Sequence, residues 1–132
     1  MVMLLRYWGP VCVYAVLIYS MSAQSHPEDN LPAFVFDLSD KVVHAIEYAV
    51  LGMLCYRALR GYSVVSWRQH AIPLAILLAS VYGASDELHQ SFIPFRDSSW
   101  LDWLADTIGA TLGVLALHRV VQMKPASSIP EV

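Results

Sequence analysis

Four stretches of the chain are almost uninterruptedly apolar: Tyr7 to Met21, Val42 to Tyr56, Ala71 to Ala84 and Thr107 to Leu117. Between them the polar residues gather in short runs. A helix needs about 20 residues to cross roughly 30 Å of hydrocarbon, and none of the four reaches that length unaided. The last three become long enough only by taking in their polar neighbours. Counting back about 20 residues from Arg119 reaches Ser98-Ser99-Trp100 and draws Asp102 and Asp106 into the span. The same count draws His44 and Glu47 into the second helix, and Asp86, Glu87, His89 and Gln90 into the third. The pattern predicts an all-α, integral-membrane four-helix bundle with its polar residues recessed into the spans.

The connections follow from their turn formers. Gly9-Pro10 is expected to open the first helix as its first turn. "QSHPEDNLPAFVFDLS" is expected to form an outer loop with Phe34-Val35-Phe36 dipping into the interface, "GYSVVSWRQH" a short inner connection, and "KPASSIPEV" a disordered tail. Arg6, a short apolar core and "SMSAQS" also imitate a signal peptide, but small residues do not sit cleanly at both cleavage positions. A retained first helix is the preferred reading, and removal of residues 1–23 stays open. The organisation expected is a first helix with its outer loop (1–36), a core of three spans (37–118) and a tail (119–132).

Composition supports the membrane assignment. Of 132 residues 57% are hydrophobic and 14% charged, and the mean hydropathy is +0.49. A soluble domain of this size has too little interior to hide that much apolar surface. Inner loops retain Lys and Arg. With both termini cytoplasmic, Arg6, Arg57, Arg60, Arg68, Arg119 and Lys124 all fall inside, leaving Lys41 and Arg96 on the far side. Ten of the eleven acidic residues then lie in the outer half, Glu131 being the exception. The scattered cations make no basic patch interleaved with aromatics, so nucleic-acid binding is set aside. Cys12 and Cys55 lie in apolar stretches without CxxC spacing and read as small buried hydrophobes.

The recessed polar residues carry the candidate chemistry. Asp40, His44 and Tyr48 are four apart and share one face of the second helix, with Glu47 beside them. Asp102, Asp106, Gly109 and Gly113 form a stripe on the fourth helix, and Ala105, Gly109 and Gly113 give it a small-xxx-small surface. Taken singly, several have ordinary explanations. Asp102 follows Ser99 in an S-x-x-D capping pattern, Asp40 follows Ser39 as an N-terminal acid, and Tyr48 fits an interfacial aromatic. Asp86 and Glu87 have none, because they end their helix where its dipole disfavours negative charge. A carboxylate at membrane depth is by default a functional hypothesis. The third helix runs opposite to its neighbours, so the outer ends of three helices are expected to converge on one pocket. Its inventory is Asp40, Lys41, His44, Glu47, Asp86, Glu87, Gln90, Arg96, Asp102 and Asp106, six acids against two fixed cations. Such a set shares protons or holds a cation. Oxygen-rich ligation with one His would suit a divalent cation such as Mg²⁺, Ca²⁺ or Mn²⁺ more readily than Zn²⁺.

"DKVVHAIEYAVLG", "DELHQSFIPFR" and "DWLADTIG", in that order, resemble the VanZ-like family of small bacterial membrane proteins over roughly Asp37 to Leu117. The resemblance places Asp40, Lys41, His44, Tyr48, Asp86, Glu87, Gln90, Arg96, Asp102 and Gly109 at signature positions. Phe95 stands where the family usually has a small residue, and Asp106 where many members have Asn. The family's namesake is associated with resistance to teicoplanin, a glycopeptide that acts on cell-wall precursors. The resemblance implies a multi-pass protein of the bacterial cytoplasmic membrane but supplies no settled reaction.

Together these readings lead to an outward-facing pocket that binds an envelope lipid or lipid-linked cell-wall intermediate and, in the stronger form, modifies it. His44, Asp86 and Glu87 would do the chemistry, while Asp40, Lys41, Tyr48, Gln90, Arg96, Asp102 and Asp106 would hold the ligand, Lys41 and Arg96 through an anionic head group. Two rivals are kept. One is a proton-coupled carrier subunit, oligomeric through Ala105, Gly109 and Gly113; the other is a non-catalytic scaffold whose polar cluster only locks helices together.

Overall fold

The structure, a computed structural model, describes residues 2–23, 33–61, 65–94 and 98–123, and for 33–39 the backbone alone. Among these residues the regular structure is entirely helical: α1 Val2–Ser22, α2 Ala33–Gly61, α3 Val65–Gln69, α4 Ala71–Gln90 and α5 Trp100–Met123. Four helices are long and apolar enough to cross a membrane, α1, α4, α5 and the Asp40–Gly61 part of α2. The last three take in the polar neighbours that the length count required. The tail from Lys124, the 24–32 part of the first loop, Phe95 and Arg96 lie outside the described residues.

Three local expectations are corrected. The helix α1 begins at Val2, so Pro10 lies inside it and does not open it. Pro10 removes the donor for the carbonyl one turn back, a loss that membrane helices tolerate where neighbours or local adjustment compensate. The helix α2 begins at Ala33, so Ala33–Ser39 is helix where a loop is expected, because extending a nucleated helix through Phe34-Val35-Phe36 costs little. Asp40 therefore stands two turns inside α2 and is no cap. The inner connection contains the short helix α3.

The helix α2 is central. Its largest interface is with α5, α4 packs against both, and among the described helices α1 touches only α2 and α4. The interior is built from small residues. Ala58, Ala75, Ala79 and Ala110 are fully enclosed, with Tyr48, Leu51, Tyr56, Leu59 and Val114 filling the spaces between them. The bulky aliphatic residues Val16, Leu17, Ile46, Leu77, Leu78, Val81, Ile108 and Leu112 face outward. Large apolar side chains outside and small ones inside is the arrangement helices adopt in lipid. There close backbone approach holds the bundle together, and apolar burial gives no advantage.

The closest approach is between α2 and α5. A Cβ added at Gly109 would run into the backbone of Ala45, and one added at Gly113 into that of Ala49. The partner of the small-residue stripe is thus α2 of the same chain. Of the positions expected to make an oligomer contact, Gly109 and Gly113 are buried against α2 and Ala105 is half-buried.

Gly109→Ala is expected to force α2 and α5 apart, costing about 1–3 kcal/mol and lowering the thermal midpoint of the detergent-purified protein. Gly9→Ala, where an added Cβ meets nothing within 4 Å, is the control. It should leave the midpoint unchanged or raised, because Ala is the better helix former.

Candidate active site

At one end of the bundle the C-terminal turns of α1 and α4 meet the early turns of the spanning part of α2 and the first turns of α5. Asp86, Glu87, Gln90, His44, Asp102 and Asp106 are all buried there, together with Ser22 and the fully enclosed Tyr48. These are residues on three separate predicted faces, brought together as the stripes imply.

Close packing sets the site's central contact. Gly109 seats α5 against Ala45, and one turn earlier this register brings Asp106 opposite His44. His44 Nδ1 lies 2.9 Å from Asp106 Oδ1, and Asp106 is 0% exposed. On the ring's other side Nε2 is 3.9 Å from Asp40 Oδ2. Gly83 of α4 makes room for this pair, since a Cβ there would come within 2.9 Å of Asp106 Oδ2. A carboxylate on Nδ1 fixes both the ring orientation and the tautomer, leaving Nε2 as the nitrogen able to take a proton.

Lys41 reaches across to α5, its Nζ 3.2 Å from Asp102 Oδ1. Asp102 is the acid of the first turn of α5, and Ser99 caps the helix as the S-x-x-D pattern implies, its hydroxyl accepting the N–H of Leu101 at 3.2 Å. The N–H of Ser99 itself donates to Glu87 Oε2 at 2.9 Å, so the entry to α5 is tied to the end of α4. On α4, Asp86 Oδ2 accepts the Ser22 hydroxyl at 2.7 Å and Gln90 Nε2 at 3.1 Å. Asp86 thereby docks the end of α1. Tyr82 does the same further along α1, its hydroxyl donating to Ala15 O at 2.6 Å.

What is left over is acidic. Among the described residues, Asp86 Oδ1, Glu87 Oε1 and Asp106 Oδ2 are buried without a hydrogen-bond partner, as is the Tyr48 hydroxyl. Buried acceptors in this state are costly and call for a proton, a cation or a hydrogen-bond donor. One ligating atom from each of His44, Glu87 and Asp106 lies within 4.8 Å of the others. A narrow cleft of about 60 Å³ opens beside them, lined by Met21, Ser22, Asp40, Val43, His44, Glu47 and Gln90. That is space for about two water molecules.

Of the ligand-holding residues expected, Asp40 and Gln90 line the cleft. Tyr48, Asp102 and Asp106 are buried behind it, and Arg96 lies outside the described residues. Lys41 is occupied by Asp102, so the described cluster offers acceptors where an anion cradle was expected. Sequence spacing does not report Ser22, Gly83 or the backbone contact of Ser99 with Glu87. Ser22 carries no motif, and the Ser99 contact is made by its backbone. Gly83 has one visible signal, a lone glycine inside an apolar helical run.

A family model described as VanZ/LLP1 matches residues 8–121, from within α1 to near the end of α5. The chain belongs to the VanZ/LLP1 family. No curated protein and no solved structure gives a significant match. With its four membrane-capable helices, this VanZ/LLP1 chain is a multi-pass membrane protein.

Breaking the cross-helix ion pair tests the site's architecture. Lys41→Met or Asp102→Leu alone should destabilise the protein in detergent, because the first leaves the buried Asp102 carboxylate and the second the half-buried Lys41 ammonium uncompensated. The double variant should recover much of the loss. A thermal-stability cycle is expected to give a coupling energy on the order of 1–3 kcal/mol.

Proposed function

We propose that this protein binds, at its acidic end, the hydroxyl- or amine-bearing head group of an envelope lipid or lipid-linked cell-wall intermediate, and hydrolyses or transfers it with His44 as the acid–base group. The observation that carries this reading is the His44–Asp106 contact. Nδ1 is held by a fully buried carboxylate at 2.9 Å, and Nε2 remains on the side of Asp40 and the cleft. The oxygens of Asp86, Glu87 and Asp106 that have no partner among the described residues are acceptors for a ligand rich in O–H and N–H donors. The namesake's association with a drug that acts on cell-wall precursors fits the same ligand class.

In the hydrolytic form, His44 Nε2 takes a proton from water as the water oxygen bonds to the electrophilic head-group atom. The bond from that atom to the leaving oxygen breaks, and the imidazolium returns the proton to that oxygen. Asp106 keeps the ring oriented and stabilises its charged state.

The test uses full-length protein in nanodiscs with a polyprenyl-linked saccharide precursor, and phosphatidylcholine as the comparison. Wild type should bind the precursor and release its head group. Glu87→Gln should weaken binding by about tenfold, the loss of one charged hydrogen bond, and His44→Gln should bind but release nothing. Equal binding by wild type and Glu87→Gln, or turnover by His44→Gln, would overturn the proposal.

One geometry favours a second reading, a divalent cation held by His44, Glu87 and Asp106. Their ligating atoms converge, and Glu87 Oε1 and Asp106 Oδ2 have no other partner among the described residues. Two carboxylates and one imidazole suit Mn²⁺ or Mg²⁺. Protein equilibrated with Mn²⁺ and then dialysed should retain one equivalent in wild type and lose it in Glu87→Gln. Retention far below one equivalent in wild type would remove this reading.

A further inference from the structure

The opposite end of the bundle holds a second polar site that the acid–base reading does not use. The last turns of α2 and α5 meet α3 and the start of α4 around a cavity of about 220 Å³. Its lining comprises Tyr56, Arg60, Arg68, Gln69, His118 and Gln122, with Ala71 and Ile72 completing the wall. Its character is the reverse of the acidic end. The sequence has no Asp or Glu from residue 48 to 85 or from 107 to 130, so no carboxylate on these helix ends neutralises the two arginines.

The polar lining is built, with a buried anchor. Tyr56 is 2% exposed, and its hydroxyl lies 2.6 Å from His118 Nδ1 and accepts Arg60 Nη1 at 3.0 Å. Arg60 also lies over the Tyr56 ring, its Cζ 5.8 Å from the centroid, a cation–π contact that restrains the guanidinium. Arg60 can only donate, so the Tyr56 hydroxyl accepts from it and keeps its own proton for His118 Nδ1 in the tautomer that makes the imidazole Nε2 an N–H donor. The remaining guanidinium nitrogens of Arg60, the guanidinium of Arg68, the amides of Gln69 and Gln122 and this imidazole form a donor-rich lining. The start of α4 adds to it: Ala71 and Ile72 are its first two residues, and His70 places no side-chain cap on them. The partial positive charge of a helix N-terminus favours an anion there. The two whole positive charges outweigh the opposite partial charges at the ends of α2 and α5.

We propose that this cavity is a phosphate-binding site, holding a singly or doubly charged phosphate group between Arg60 and Arg68, with His118 as a further donor. The planar guanidinium fork matches phosphate oxygens, and two of them make a clamp. The cavity lies where membrane-length helices end, and basic pockets between such helix ends are suited to anionic lipid head groups. The same chemistry would accept free phosphate.

The test uses full-length protein, by native mass spectrometry from an uncharged detergent and by equilibrium binding in nanodiscs. Three ligands are compared: phosphatidylglycerol, phosphatidylcholine and inorganic phosphate. Phosphatidylglycerol should bind one per chain in preference to phosphatidylcholine. Arg68→Gln, an exposed position whose loss should not unfold the chain, should weaken that binding by at least about tenfold. His118→Gln should weaken it less, and Arg119→Gln, which removes an exposed charge outside the cavity, should leave it unchanged. Binding of inorganic phosphate with the same loss in Arg68→Gln upholds the site and assigns it to the free anion. Binding of neither anion, or equal weakening by Arg68→Gln and Arg119→Gln, would overturn the proposal.

Discussion

The contact between α2 and α5 at Gly109 and Gly113 sets the rest of the molecule. In lipid there is little apolar driving force to press helices together, so the distance of closest backbone approach decides which side chains meet. With no side chain at either glycine, α5 sits directly against the backbone of Ala45 and Ala49. His44 immediately precedes the first of these contacts, and Asp106 lies one turn before Gly109. Packing and chemistry therefore share one register, and the imidazole–carboxylate pair exists because the glycines permit it.

The acidic end combines helix pairing with unsatisfied potential. Asp102 is matched by Lys41, Asp86 by Ser22 and Gln90, and one oxygen of Glu87 by the backbone of Ser99. These bonds tie all four membrane-capable helices together, which is what a scaffold would ask of them. Among the described residues, oxygens on Asp86, Glu87 and Asp106 are left without a donor, and a buried acceptor in that state is costly until a proton, a cation or a donor reaches it.

Much of this was legible in the sequence because helical spacing reports faces. The i, i+4 run Asp40–His44–Tyr48 and the i, i+3/i+4 stripe Asp102–Asp106–Gly109–Gly113 name the inward surfaces of α2 and α5, and the span-length count shows that the polar residues are recessed. Spacing does not report neighbours. That Lys41 would choose Asp102, or that Gly109 and Gly113 would be covered by α2, depends on which helices pack together. The start of α2 was hidden for a different reason. Pro32 and the aromatics after it read as a loop at the interface, and that reading left Asp40 at a helix entrance instead of two turns inside. Ser22 and the backbone of Ser99 had no sequence signal, because their importance comes from where other helices place Asp86 and Glu87.

The inverted distribution of residue size, with alanines and glycines enclosed and valines, leucines and isoleucines outermost, has a consequence for redesign. Mutational tolerance should run opposite to that of a water-soluble globule. Exchanging one bulky aliphatic for another around the perimeter alters only what the acyl chains touch. Adding a single methyl group to an interior alanine or glycine moves a whole span. A water-soluble counterpart would have to repaint the outside with charge and leave the smallest residues alone.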